Sequence, residues 1–207
     1  MLTLHAFASP NSIKAVIALE ELGLPYRLQA VNLRQGEQKA PDFLALNPNG
    51  KVPVLQDGAF VLTESAAILV HLAEQDPDAR LLARHGEARA RAFEWLFFHA
   101  SALGPAFGNA GYFQKLAPEP NPAAVERFLG EARRTLGLLE QRLGQAPYLA
   151  GDDYSIADIA HFGWLWRRAF AGVDLEATPR LARWYERVEA RPAVQRALAA
   201  VNALVPA

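Results

Sequence analysis

Asn47-Pro48-Asn49-Gly50-Lys51-Val52-Pro53-Val54-Leu55, followed by Thr63-Glu64-Ser65-Ala66-Ala67-Ile68-Leu69, is the stretch on which the reading of this chain turns. Asn-Gly supplies turn chemistry, and Val-Pro-Val-Leu is a short apolar run of strand type. Proline has no ladder donor, so Pro53 must open the strand or lie on an edge. Val52 is thereby left beside a bend with a free N–H and C=O. In the second stretch Glu64 and Ser65 precede Ile68, Leu69 and Leu72, apolar residues at helical spacing. A helix N-terminus offers unpaired N–H groups and partial positive charge, which suit a carboxylate. One backbone edge that pairs with an extended peptide and one anion hole a few residues later imply a small peptide with an acidic end as ligand.

Upstream, Leu2 to Phe7 alternates as a strand, and Ser9-Pro10-Asn11-Ser12 breaks it. Ile13, Val16, Ile17, Leu19 and Leu22 then fall at helical spacing, with Glu20 and Glu21 outward, Gly23 as the stop and Pro25 beyond it. Tyr26 to Leu33 alternates again, which completes a βαβ unit. A polar loop covers 34–40 and a helical turn begins at Pro41. Val52–Leu55 and Phe60–Leu62 flank Asp57-Gly58, a strong hairpin signal. A helix over Ser65–Gln75 closes a β-α-β-α-β-β-α module.

Downstream of Gly86 the pattern is helical throughout. A long helix covers Gly86–Ala102 and carries Trp95-Leu96-Phe97-Phe98, four large apolar residues that no single face can hold. Gly104-Pro105 interrupts it, Phe107, Tyr112 and Phe113 fall in a glycine-marked irregular stretch, and Pro118–Pro122 reads as a linker. Further helices are expected over Ala123–Leu143, Ile156–Phe170, Pro179–Arg191 and Ala193–Leu204. Ser155 and Asp158 have capping-box spacing, with Tyr154 and Ile159 placed for a hydrophobic staple. A capping box explains both polar residues structurally. Two domains follow, over residues 1–78 and 86–207.

Composition excludes several classes. The chain of 207 residues carries a net charge of −1, which gives no reason to expect a nucleic-acid partner. Acidic residues outnumber basic ones up to Pro77, and basic residues slightly outnumber acidic ones after it, so charge marks a boundary rather than a partner. No apolar run reaches the ~18 residues of a membrane span. No basic segment precedes Leu2, so no secretory leader is expected and a cytoplasmic location is. The five histidines have no metal-ligand spacing, and no metal site is expected. Cysteine is absent. Disulfides, zinc–thiolate sites and protein-borne thiol chemistry are therefore ruled out, and any thiol reaction must use a sulfur brought by a ligand.

These pieces together resemble the cytosolic glutathione transferases, and most closely their bacterial nu-class, the glutathione-dependent disulfide-bond oxidoreductases. The matching stretches are Ser9-Pro10-Asn11, Leu19 to Leu24, Asn47 to Pro53, Trp95-Leu96-Phe97 with Gly104-Pro105, and Tyr154 to Asp158. The resemblance implies an α+β thioredoxin-like domain (βαβαββα) followed by an all-α helical domain, a cis bond before Pro53 and a homodimer. It implies glutathione as cosubstrate, with Val52 and Pro53 against the cysteinyl part and Glu64 and Ser65 on the γ-glutamyl end. Gln38 and Lys51 would lie near the glycyl carboxylate, and Arg134 would reach a second glutathione. Ser9 stands where the nu-class pattern has threonine, and Ser12 where it usually has glycine.

A free thiol has a pKa near ~8.5, so donors aimed at a bound sulfur are needed to make it reactive at neutral pH. The Ser9 hydroxyl, the Asn11 amide and the N-terminus of the following helix are candidate donors. Turn and N-cap chemistry alone would also account for Ser9 to Ser12. The leading expectation is a thiol–disulfide oxidoreductase in which glutathione attacks a small disulfide by mixed-disulfide exchange. Two alternatives stay open: a conventional transferase acting on an electrophile, and a catalytically silent binding protein on the same scaffold.

Overall fold

The computed structural model describes residues 1–205, so Pro206 and Ala207, the end of the second expected domain, lie outside the described residues. By contacts the chain forms two compact units, Met1–Arg80 with Ala190–Ala207, and Leu81–Glu189.

In the first unit, strand β1 (Leu2–Ala6) leads into helix α1 (Ser12–Leu22) and strand β2 (Tyr26–Ala30). A short helix α2 (Pro41–Leu46), strands β3 (Val54–Asp57) and β4 (Phe60–Thr63) and helix α3 (Ser65–Glu74) complete it. The sheet order is β2-β1-β3-β4, with β1 parallel to β2 and antiparallel to β3. Leu4 faces Leu28 on one side and Leu55 on the other, and Leu55 faces Leu62. This is the expected thioredoxin-like arrangement. Gly23 ends α1 in the left-handed conformation, as its position predicts. The third strand starts two residues later than expected, at Val54, because Pro53 has no N–H to give the ladder, and the Val52–Pro53 bond before it is cis. The loop over 34–40 contains a 3₁₀ turn, Glu37–Lys39.

Helices α1 and α3 pack on each other, and their Ile13, Val16, Ile17, Ile68, Leu69 and Leu72 are all fully buried. A second cluster joins Phe7, Val31, Phe43, Val52 and Val54, with Val205 against it. The last helix, α10 (Pro192–Asn202), packs on α1. Two ion pairs tie its end of the chain to that helix: Arg191 grips Glu21 through both oxygens at 2.6 and 2.9 Å, and Arg196 meets Glu20 at 2.6 Å.

The second unit consists of helices α4 (Gly86–Phe98), α5 (Gly104–Lys115), α6 (Pro122–Arg142), α7 (Ile156–Trp166), α8 (Arg168–Ala171) and α9 (Pro179–Glu189). The stretch expected to be irregular around Phe107 is helical. A π-helical turn over His99–Leu103 carries α4 into α5, and Pro105 falls just after it, at the start of α5. The glycines of α5 are seats for rings rather than breaks. A side chain on Gly111 would overlap the Phe170 ring, and one on Gly108 would come into contact with Trp164 at 3.4 Å. The linker before α6 ends one residue earlier than expected, because Asn121 caps that helix through Oδ1 to the Ala124 N–H at 3.0 Å. The helix expected to reach Phe170 breaks at Arg167 and resumes as α8.

Helix α7 is buried except at Trp164 and Trp166. It starts at the capping box read from the sequence: the Ser155 Oγ accepts from Ala157 N at 3.2 Å, and the Asp158 carboxylate accepts from Ser155 N at 3.0 Å. Of the four consecutive large residues in α4, Leu96 is buried and Phe97 is 65% exposed. Among the described residues no helix is long and apolar enough to cross a membrane.

Candidate functional site

The turn before the cis bond is braced from within by one side chain. Asn47, 6% exposed, receives the Asn49 N–H on Oδ1 at 3.1 Å, accepts the Gly50 N–H on its carbonyl at 2.8 Å, and donates Nδ2 to the Lys51 carbonyl at 2.7 Å. Gly50 has φ +62, and a side chain there would meet Gln38 O at 3.0 Å. Lys51 O is therefore occupied, whereas Val52 makes no backbone hydrogen bond to the protein among the described residues. A main-chain donor and acceptor left unpaired on a residue only 8% exposed are open to an added strand.

Thr63 leads into Glu64, whose φ is +66, a left-handed value rare outside glycine. Glu64 is exposed, makes no side-chain hydrogen bond among the described residues, and leaves α3 without a side-chain cap. The first helical bond runs from Ile68 N to Glu64 O, so the N–H groups of the first turn keep their donor capacity. An unusual conformation held at a helix N-terminus is the kind of strain that clusters at ligand clamps.

The loop from Ser9 to Ser12 forms a compact hydrogen-bonded turn. Ser9 Oγ accepts from Ser12 N at 3.1 Å and donates to Ser12 Oγ at 2.9 Å. Its proton is thus directed at Ser12, and it must rotate to serve any other acceptor. Asn11 stands immediately before α1, with no capping bond from its side chain. Its Oδ1 accepts from Lys14 Nζ at 2.8 Å, while Nδ2 donates to no protein atom among the described residues.

Lys14 is a residue that pattern reading passes over. It lies within the buried run of α1 from Ser12 to Leu19 and is 1% exposed. Its Nζ also reaches Ser65 Oγ at 3.4 Å. Burial lowers its pKa to about 7, opposed by the nearby Glu64 carboxylate. The one signal for it in the sequence is a lysine three residues after Asn11, one helical turn along.

The other expected residues fall in different surroundings. Gln38, on the 3₁₀ turn, is half-buried with a shielded Oε1 that has no hydrogen-bond partner among the described residues. Lys51 is exposed. Arg134 lies in the second unit on α6 and grips Glu131 at 2.9 and 2.6 Å. No group of three or more metal-ligating side chains occurs among the described residues.

A thioredoxin-like module with a cis bond before Pro53, followed by a helical unit, defines the glutathione transferase class of fold. Residues 8–75 match the glutathione S-transferase N-terminal domain family, and residues 92–192 match its C-terminal domain family. The chain belongs to the glutathione S-transferase family, a family of enzymes. It is 38% identical over 207 residues to the disulfide-bond oxidoreductase YfcG of Escherichia coli K12, covering 96% of this chain and 94% of that one. Among solved structures it is similar to a Pseudomonas fluorescens glutathione transferase family member with two glutathiones bound: TM-score 0.88, 35% identity, 95% of this chain and 92% of that one. It is also similar to the transferase URE2P6 of Phanerochaete chrysosporium in complex with oxidised glutathione: TM-score 0.92, 32% identity, 99% and 97% covered.

Proposed function

We propose that the protein is a glutathione-dependent thiol–disulfide oxidoreductase in which residues 1–78 bind glutathione. The observation that carries this reading is the Asn11 amide, held by its oxygen and with its N–H pair uncommitted, in a chain without cysteine. Similarity to a disulfide-bond oxidoreductase along nearly the whole chain supports it. The tripeptide would pair its cysteinyl backbone with Val52 beside Pro53, set its γ-glutamyl carboxylate on the N–H groups and hydroxyl of Ser65, and offer its ammonium to Glu64. Gln38 and Lys51 would serve the glycyl end, and Arg134 a second glutathione.

The bound sulfur then faces Asn11 Nδ2 and, after rotation, the Ser9 hydroxyl. Both favour thiolate over thiol. The thiolate attacks one sulfur of the substrate disulfide, the other leaves as a thiolate and takes up a proton, and a second glutathione thiolate releases oxidised glutathione and a second thiol. Two glutathiones thus lose the electron pair that the substrate disulfide gains. Such a reaction belongs where reduced glutathione is abundant, which places the enzyme in the cytoplasm. The exposed Phe97 on α4 and Phe60 (48% exposed) on β4 support a homodimer. Sedimentation is expected to give a mass about twice 22.7 kDa, and a monomer mass at all concentrations contradicts the dimer.

The same thiolate could attack an electrophilic carbon, so the decisive comparison is turnover on hydroxyethyl disulfide against turnover on chlorodinitrobenzene. Faster disulfide reduction is expected, and strong conjugation without reduction overturns the reading. Glu64→Ala is expected to weaken glutathione binding about tenfold with kcat within about twofold, because its partner is on the substrate and not at the sulfur. Calorimetric titration with matched kinetics checks it. A kcat loss equal to the affinity loss removes the role.

A further inference from the structure

The site just proposed has two ends: the sulfur end at Asn11 and the carboxylate end at Ser65. Lys14 touches both. It projects from α1 among Ile13, Val16 and Ile17, all fully buried, and its Nζ lies 2.8 Å from Asn11 Oδ1 and 3.4 Å from Ser65 Oγ. An ammonium has donors only, so each partner must turn an oxygen lone pair toward it. Asn11 is thereby held with its nitrogen at the far end of the amide, directed away from Lys14. Ser65 is likewise left with its hydroxyl proton free to point elsewhere.

We propose that Lys14 is a positioning residue that fixes the donor direction of Asn11 toward the glutathione sulfur and of Ser65 toward the γ-glutamyl carboxylate, so that the two ends of the site are ordered by one cation. This rests on the reading that glutathione binds here. A charged group at this depth is costly to bury unless its bonds are used. Burial already pulls its pKa down to about 7, and the Glu64 carboxylate opposes the fall. An anionic ligand at the same place favours the ammonium further, so a filled site strengthens the hold on both oxygens.

The test compares Lys14→Met with the unsubstituted protein, and repeats the substitution in an Asn11→Ala background. Glutathione binding is followed by calorimetry, the bound thiol by its thiolate absorbance against pH, and kcat with hydroxyethyl disulfide. Lys14→Met is expected to raise the pKa of the bound thiol by about one unit and lower kcat about tenfold. In the Asn11→Ala background its effect on kcat should shrink to less than about twofold, because no amide remains to be aimed. An unmoved thiol pKa, or the same kcat loss in both backgrounds, overturns the proposal and leaves Lys14 a packing residue.

No heat with the unsubstituted protein removes the binding site itself and this proposal with it, an outcome separable from the first. If Lys14→Met does not fold, the unaltered protein decides. The Lys14 side-chain NMR titration should lie higher with glutathione bound than with S-methylglutathione bound, and identical titrations overturn the proposal.

Discussion

Replacing Asn11 with alanine is expected to lower kcat for the glutathione-dependent reduction of hydroxyethyl disulfide by about a hundredfold, with glutathione affinity changed less than about threefold. The factor is that of a single donor aimed at developing charge in a protected site, about 2.7 kcal/mol. The amide oxygen is committed to Lys14 at 2.8 Å, so the N–H pair is the part left for the sulfur. The affinity is expected to come from elsewhere, from the proposed contacts at the Val52 edge and the N-terminus of α3. Steady-state kinetics with a calorimetric Kd for each variant separates the two quantities. A variant that loses affinity and turnover equally would show that Asn11 holds the peptide rather than activates its thiol.

The second large effect is on stability. Asp158→Ala is expected to cost about 4 kcal/mol, a large part of the margin of a domain held by about 5–15 kcal/mol. Asp158 is fully buried and its carboxylate accepts from Leu149 N at 3.1 Å, Ser155 N at 3.0 Å and Trp184 Nε1 at 2.8 Å. Removing it leaves three buried donors without an acceptor, each costing ~1–3 kcal/mol and less than additively. Burial pushes the Asp158 pKa up to about 6, and these donated bonds restrain the rise, so the group is a carboxylate at neutral pH. Urea unfolding followed by far-ultraviolet circular dichroism measures the loss. A cost under about 1 kcal/mol would mean that the loop before α7 finds other acceptors.

What the sequence made legible was set by short-range chemistry. The first two strands alternate, Gly23 and Asp57-Gly58 punctuate the first unit, and Ser155 with Asp158 announces the start of α7 three residues apart. The course of α5 was not legible, because a glycine that accommodates a neighbouring ring reads the same as a glycine that breaks a helix. Gly111 is the clear case, since Phe170 lies some sixty positions away in the chain and only the fold brings it there. The packing of α10 on α1 was hidden for a similar reason: Arg191 and Glu21 are 170 residues apart.

At the site, the turn at Asn47–Gly50 and the α3 start at Glu64 follow from turn and helix-end chemistry. The left-handed conformation of Glu64 has no local cause, and Lys14 disappears in a count of apolar positions because its neighbours are all core. Ser9 and Ser12 stand three positions apart in the sequence, and the structure shows them bonded to each other. Asn11 keeps both amide N–H groups uncommitted among the described residues.

We propose that a chain without cysteine handles disulfides by docking glutathione on the backbone of Val52. The decisive measurement is a crystal structure of the complex with oxidised glutathione. The Val52 N–H and C=O are both expected to pair with the cysteinyl residue of one glutathione, with a sulfur within hydrogen-bond reach of Asn11 Nδ2. A bound disulfide that leaves the Val52 backbone unengaged, or whose sulfurs lie away from Asn11, would contradict it.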